Sequence, residues 1–240
     1  MLKTIFMSTI LTFSLTWCQV NIESMRGKKE SPGVTHNMAL DFSYYSGNSE
    51  IIQLMGSYRL DYLSNSNWYG FLKGQYNRAF EKDNEDFSNK GFVHLRTARP
   101  ILAHTDIEGF IQKEANNFID LENRELLGAG LRINQFGNLY WGIGIMHEME
   151  KYNKIPQEQS FLKSTNYLNY QVNVLQIVEL QNVVYYQFKT ENAEEYRILW
   201  DGNLTIKTLK GFAFHINTQY RFDKNNDSYF EISNGLGFQF

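Results

Sequence analysis

The residues of this chain best able to do chemistry are its five histidines, the charged side chains that recur at alternate positions, and one cysteine, Cys18. His147-Glu148 and His215 invite a catalytic reading, because a histidine beside a serine or aspartate near a membrane boundary can act as general base toward a lipid ester. No serine motif accompanies either of them in the sequence. The simpler reading makes His215 one polar lumen position among many, and His147 an outward residue near a strand end. His36, His94 and His104 are scattered, with no companions at metal-ligand spacing. No catalytic, cofactor-binding or metal-ligating residue is assigned, no cofactor is implied, and an enzyme is not expected.

The charges are more informative as a set. Asp41, Arg59, Asp61, Lys73, Arg96, Asp106, Glu108, Glu114, Arg124, Arg132, Glu148, Arg197, Asp201 and Arg221 interleave both signs, and each falls on the polar face of a segment of period two. In a membrane-crossing strand such residues must face the lumen, since Arg or Lys on the lipid face costs roughly 2–4 kcal/mol at the midplane. They either pair with one another and fill the barrel or line a narrow hydrophilic path. The filled lumen is favoured, because a barrel of this size has little spare width once long side chains enter. Gly128/Gly130 and Gly142/Gly144 on inner faces either leave local room or admit close packing.

The elements that must position these charges are clearest in the last thirty residues, from Gly211 to Phe240. Phe212, Phe214, Ile216, Thr218, Tyr220 and Phe222 form a face fit for lipid. Ala213, His215, Asn217, Gln219, Arg221 and Asp223 alternate with them on a face fit for water. The length exceeds the roughly 9–11 residues that a tilted strand needs to cross a bilayer. A lone hairpin would leave unpaired backbone groups in hydrocarbon, so it implies a closed barrel.

The same alternation runs through Val34–Tyr45, Ile52–Tyr62, Trp68–Phe80, Phe87–Arg99, His104–Asn116, Arg124–Gln135, Leu139–Glu150, Thr165–Val172, Gln176–Lys189 and Glu195–Lys207. With the closing pair this predicts an all-β, transmembrane, antiparallel up-and-down β-barrel of about 12 strands, the even number that bacterial barrels require. Lys151–Ser164, polar and containing Pro156, reads as the longest connection. With both termini periplasmic, it falls on the extracellular side together with Gly47–Asn48, Glu81–Asp86 and Lys224–Asp227. Tyr44, Trp68, Trp141, Trp200 and Tyr220 are expected to face lipid or its headgroup boundary. Arg132 and Glu148, inward on neighbouring strands, are expected to share one ion network.

Composition agrees with a barrel. The mean hydropathy of −0.43 is low because half of every barrel strand faces a polar lumen. The net charge of −3 and pI near 6.0 provide no basic field for nucleic acid. Lys3 precedes an apolar core, Ile5 to Trp17, of the length a secretory signal uses. Residues 1–18 therefore read as a signal peptide cut after Cys18. Lipidation at Cys18 is the rival, disfavoured because Trp17 is bulky where that route needs a small residue. Residues 19–32 read as a polar periplasmic lead-in and 33–240 as an outer-membrane β-barrel. The expected partners are outer-membrane lipid and the barrel assembly machinery, the latter through the C-terminal strand ending at Phe240. A monomer in the outer membrane of a double-membraned bacterium is expected.

Several stretches resemble, in order, the salt-induced outer-membrane protein family (domain of unknown function 481). They are Asn21-Ile-Glu23 with Arg26, the turn Ser46-Gly47-Asn48-Ser49, Arg124-Glu-Leu-Leu-Gly128-Ala-Gly130-Leu-Arg132, and Gly144 followed by Glu148. Tyr185-Tyr186-Gln187, Tyr196-Arg197 and the end Gly235-Leu-Gly237-Phe-Gln-Phe240 follow. Glu194-Glu195 stands where the pattern has an aspartate before the Tyr-Arg pair, and it keeps the charge. The resemblance implies a cell-envelope barrel and assigns no catalytic or binding residue. The expected function is structural, or narrow permeation of small solutes or ions. A barrel enzyme acting on outer-membrane lipids and a periplasmic ligand-binding barrel are the alternatives.

Overall fold

A computed structural model describes Glu23, Arg26 and residues 31–45, 51–81, 86–117, 120–134, 136–174, 177–207, 212–224 and 228–238. Twelve strands follow one another: β1 (Gly33–Tyr45), β2 (Ile51–Leu63), β3 (Tyr69–Glu81), β4 (Asp86–Leu102), β5 (Thr105–Asn116) and β6 (Leu121–Asn134), then β7 (Leu139–Tyr152), β8 (Ile155–Val174), β9 (Val178–Lys189), β10 (Tyr196–Lys207), β11 (Phe212–Asp223) and β12 (Tyr229–Phe238). Each pairs antiparallel with the next in a single sheet ordered β1 to β12. The expected count, order and direction of the strands are all found.

The alternation that identifies the strands also sets their faces. Along β4 the side chains of Phe92, His94, Arg96 and Ala98 are buried, and those of Val93, Leu95 and Thr97 between them are exposed. Met38, Leu40 and Phe42 on β1 are 76%, 79% and 66% exposed, whereas Arg124, Glu148, His94 and Asn169 are among the most completely buried side chains. A water-soluble domain buries its apolar side chains and seldom buries unpaired charges. This sheet does the reverse, with an apolar outer face and a polar interior, the distribution a strand-built membrane protein needs.

One expected element is corrected. Lys151–Ser164 is not a connection. β7 runs to Tyr152, Asn153 and Lys154 make the turn, and β8 begins at Ile155 and continues for 20 residues. The ladder holds through Glu150↔Gln159, His147↔Leu162 and Ile145↔Ser164, with a register shift between Glu150 and Tyr152. The stretch looks like a loop in sequence because the hairpin tip is polar on both faces. A strand that continues beyond the hydrocarbon needs no apolar side. The connections therefore span two to six residues, and the longest is Thr190–Glu195. No long loop at 151–164 therefore marks one end of the sheet, while the even strand count stands.

The sheet curls around its polar face. Tyr167 on β8 donates to Glu108 on β5 (3.2 Å), and Arg197 on β10 lies 3.6 Å from Glu148 on β7. Two ends can then be named. The near end carries the start of β1, the end of β12 and the turns after even-numbered strands; the far end carries the others. The signal peptide, the side chains of Asp41 and His215, and Phe240 lie outside the described residues.

Candidate functional site

Most of the inward charges gather in two clusters, one in each half of the lumen. In the far half, Arg124 on β6 is fully buried and faces three carboxylates: Glu150 (2.6 Å), Glu148 (3.2 Å) and Glu114 (3.5 Å). Glu148 in turn pairs with Lys163 and with Arg197, whose Nε reaches Asp223 on β11 at 3.1 Å. Tyr152 donates to Glu150 and Gln112 donates to Glu114. The alternation of signs keeps any one charge from lying desolvated without a partner, which would cost several kcal/mol.

In the near half the centre of the cluster is a residue of the lead-in. Glu23, with no exposed surface, accepts hydrogen bonds on Oε1 from Arg132 and Asn169, each at 3.0 Å. On Oε2 it accepts from Arg96 at 3.0 Å and Arg26 at 3.3 Å. Its backbone N–H donates to the Tyr185 hydroxyl at 3.2 Å. Arg26 pairs with Glu108 and lies over the Tyr69 ring at 5.7 Å, and Arg132 is 4.0 Å from Asp106. Burial by itself would raise the Glu23 carboxyl, but Arg26, Arg132 and Arg96 outweigh it and hold the pKa at about 2. A lead-in expected outside the barrel thus has Glu23 and Arg26 among the lumen-facing residues of β4, β5, β6, β8 and β9.

Between the clusters is a void of about 40 Å³, lined by Phe110, Leu126, Met146 and Leu199 together with the polar Arg96, Glu108 and Gln112, room for little more than a water or two. Wider vestibules open on either side. One of about 200 Å³ is bounded by Arg26, Tyr69, Arg132 and Tyr140, and one of about 260 Å³ by Phe161, Lys163, Lys189 and Arg197. Close packing, not spare room, explains the inner glycines: a Cβ on Gly142 would stand 2.0 Å from the Tyr167 ring. Arg132 and Glu148 do point inward, but they sit in different clusters. The shared network expected for them is corrected: Arg132 pairs with Glu23 and Asp106, and Glu148 with Arg124, Lys163 and Arg197.

His94 is buried in the lumen, its ring 5.6 Å from Phe71 and 5.9 Å from Phe110, with Nδ1 3.1 Å from Gln112 Oε1. His36 meets the Tyr58 hydroxyl on the outer face at 2.7 Å. His147 does find a serine: its Nε2 lies 2.8 Å from Ser160 Oγ on the outer face. Ser160 belongs to the part of β8 that reads as a loop in sequence, so the pairing could not be foreseen. Among the described residues no group of three or more His, Cys, Asp or Glu could hold a metal ion. Tyr44, Trp68 and Trp141 are 52%, 41% and 50% exposed on the outer face, as expected; Trp200 and its cross-strand partner Tyr220 are half-buried there.

The motif residues lie where the charges meet. Glu23, Arg26 and Arg132 belong to the near cluster, and Arg124, Glu148 and Arg197 to the far one. The fold is similar to the translocator domain of the autotransporter NalP from Neisseria meningitidis, at 10% identity with a TM-score of 0.51, covering 86% of this chain and 87% of that one. It is also similar to the NanC porin, at 10% identity with a TM-score of 0.50, covering 86% and 99%. At these identities the likeness extends to the fold alone, that of an up-and-down β-barrel. No curated protein matches the sequence. The family described as "Protein of unknown function, DUF481" matches residues 38–233, most of the chain and eleven of its twelve strands in full or in large part, and the protein belongs to that family.

Proposed function

We propose that the protein is a monomeric outer-membrane β-barrel of a double-membraned bacterium, closed at rest by its own side chains and lead-in, and serving narrow permeation of small solutes rather than chemistry. The near end then faces the periplasm and the far end the outside. The observation that carries this reading is the lumen itself: a vestibule beside each ion cluster with a void of about 40 Å³ between, inside a wall whose outer face is apolar. A barrel serving only as a structural wall would need no matched clusters or vestibules. Fusing purified, folded protein with planar bilayers tests the proposal. Small, infrequent conductance steps are expected, and either a large constant pore or a complete absence of conductance under any salt or voltage would contradict it.

The contact between His147 and Ser160 favours a second reading, a hydrolase acting on lipid from the outer face. Two features weaken it. The dyad needs a third group to orient the imidazole, and backbone N–H groups committed to a sheet ladder offer no oxyanion hole. Release of fatty acid from phospholipid vesicles, abolished in Ser160→Ala, would establish it.

A further inference from the structure

The Glu23–Arg26 pair has the charge pattern of a bound ligand. Its carboxylate meets donors from three separate strands, Arg96 on β4, Arg132 on β6 and Asn169 on β8, while the Tyr185 hydroxyl on β9 receives the backbone N–H. Its guanidinium meets Glu108 on β5. The two groups it inserts lie 3.3 Å apart, the Glu23 carboxylate from the Arg26 Nε. The cluster balances three cations, Arg26, Arg96 and Arg132, against three anions, Glu23, Asp106 and Glu108.

Without the lead-in, the wall keeps Arg96 and Arg132 against Asp106 and Glu108. A ligand with net charge would leave one of these four charges, of which Arg96 and Glu108 are buried, uncompensated. One carrying a carboxylate beside a cation replaces Glu23 and Arg26 group for group. We propose that Arg96, Arg132, Asn169, Tyr185 and Glu108 form a binding site for a small zwitterion, a carboxylate adjacent to an ammonium or guanidinium group, which the chain's own Glu23–Arg26 pair occupies as a tethered stand-in. The site rests on the reading of the protein as a permeation barrel. It makes the Glu23–Arg26 pair a plug that a solute of this class displaces on its way through.

The test uses the full mature chain, folded and inserted in planar bilayers. The double variant Glu23→Ala/Arg26→Ala is expected to conduct several-fold more than wild type. Glycine should lower that conductance back toward wild type, while acetate and methylammonium at equal ionic strength should not. Glu23→Ala alone keeps Arg26 and so lacks only an anion; its raised conductance should respond to acetate. A double variant that runs as a folded barrel yet ignores glycine, or answers acetate equally, overturns the site. If neither alanine variant folds, Glu23→Gln decides: conductance above wild type and lowered by acetate supports the site, and wild-type conductance overturns it. A wild-type protein that shows no folded species on an unboiled gel overturns the barrel reading itself, separately from the site.

Discussion

Glu148 has no exposed surface and pairs with Lys163, while it shares Arg124 with Glu150 and Glu114 and shares Arg197 with Asp223. Removing one partner of a buried ion pair costs about 3–5 kcal/mol because the other is left uncompensated. Glu148→Gln is therefore expected to destabilise the barrel by that order, read as a lower urea midpoint in detergent with an unchanged slope. Gly142→Ala makes a different test. Its Cβ must displace the Tyr167 ring, which is buried and bonded to Glu108, and overpacking of this kind costs about 1–3 kcal/mol.

The docked lead-in carries a pH prediction. The Glu23 pKa falls in the folded state, so its contribution is fully present above the ordinary carboxylate range and is lost as pH falls through about 2. Protection of the lead-in from added protease should hold across neutral and mildly acidic pH, and release at mildly acidic pH would refute the ion-pair account. At this scale the sequence was half legible. The inward direction of Arg124, Arg132, Glu148 and Arg197 follows from alternation, but which charges meet does not, because partners across the lumen have no fixed spacing in the chain. Glu23 in the near cluster is the clearest case, since nothing local marks residue 23 as a lumen residue.

The strands were legible because a wall between two solvents forces period two along its whole length. β11 matches its expected bounds of Phe212–Asp223, and most of the other strands lie within a few residues of theirs. β8 was missed where that force ends. Gln157, Glu158 and Gln159 carry no apolar alternation, yet the ladder to β7 continues through Glu150↔Gln159. Trp68, Trp141 and Trp200 on the outer face give the element scale its prediction. In vesicles of lipids brominated along the acyl chain, all three should be quenched, and Arg99 stacking over Trp68 at 5.3 Å suits a ring near the headgroups, quenched least. A single-tryptophan variant that bromine leaves unquenched would show that its strand faces the wrong way.

At the scale of the molecule, the sheet order leaves β1 and β12 as its edges, and a membrane does not tolerate unpaired strand edges. The account requires these strands to meet and close the barrel.

The proposed function stands on a closed barrel in the outer membrane. Membrane fractionation followed by a gel run with and without boiling tests it most directly, because a folded barrel resists detergent and migrates differently until heated. The protein is expected to sediment with the outer membrane and to shift on boiling. Recovery in the soluble periplasmic fraction, with the same mobility before and after boiling, would contradict it.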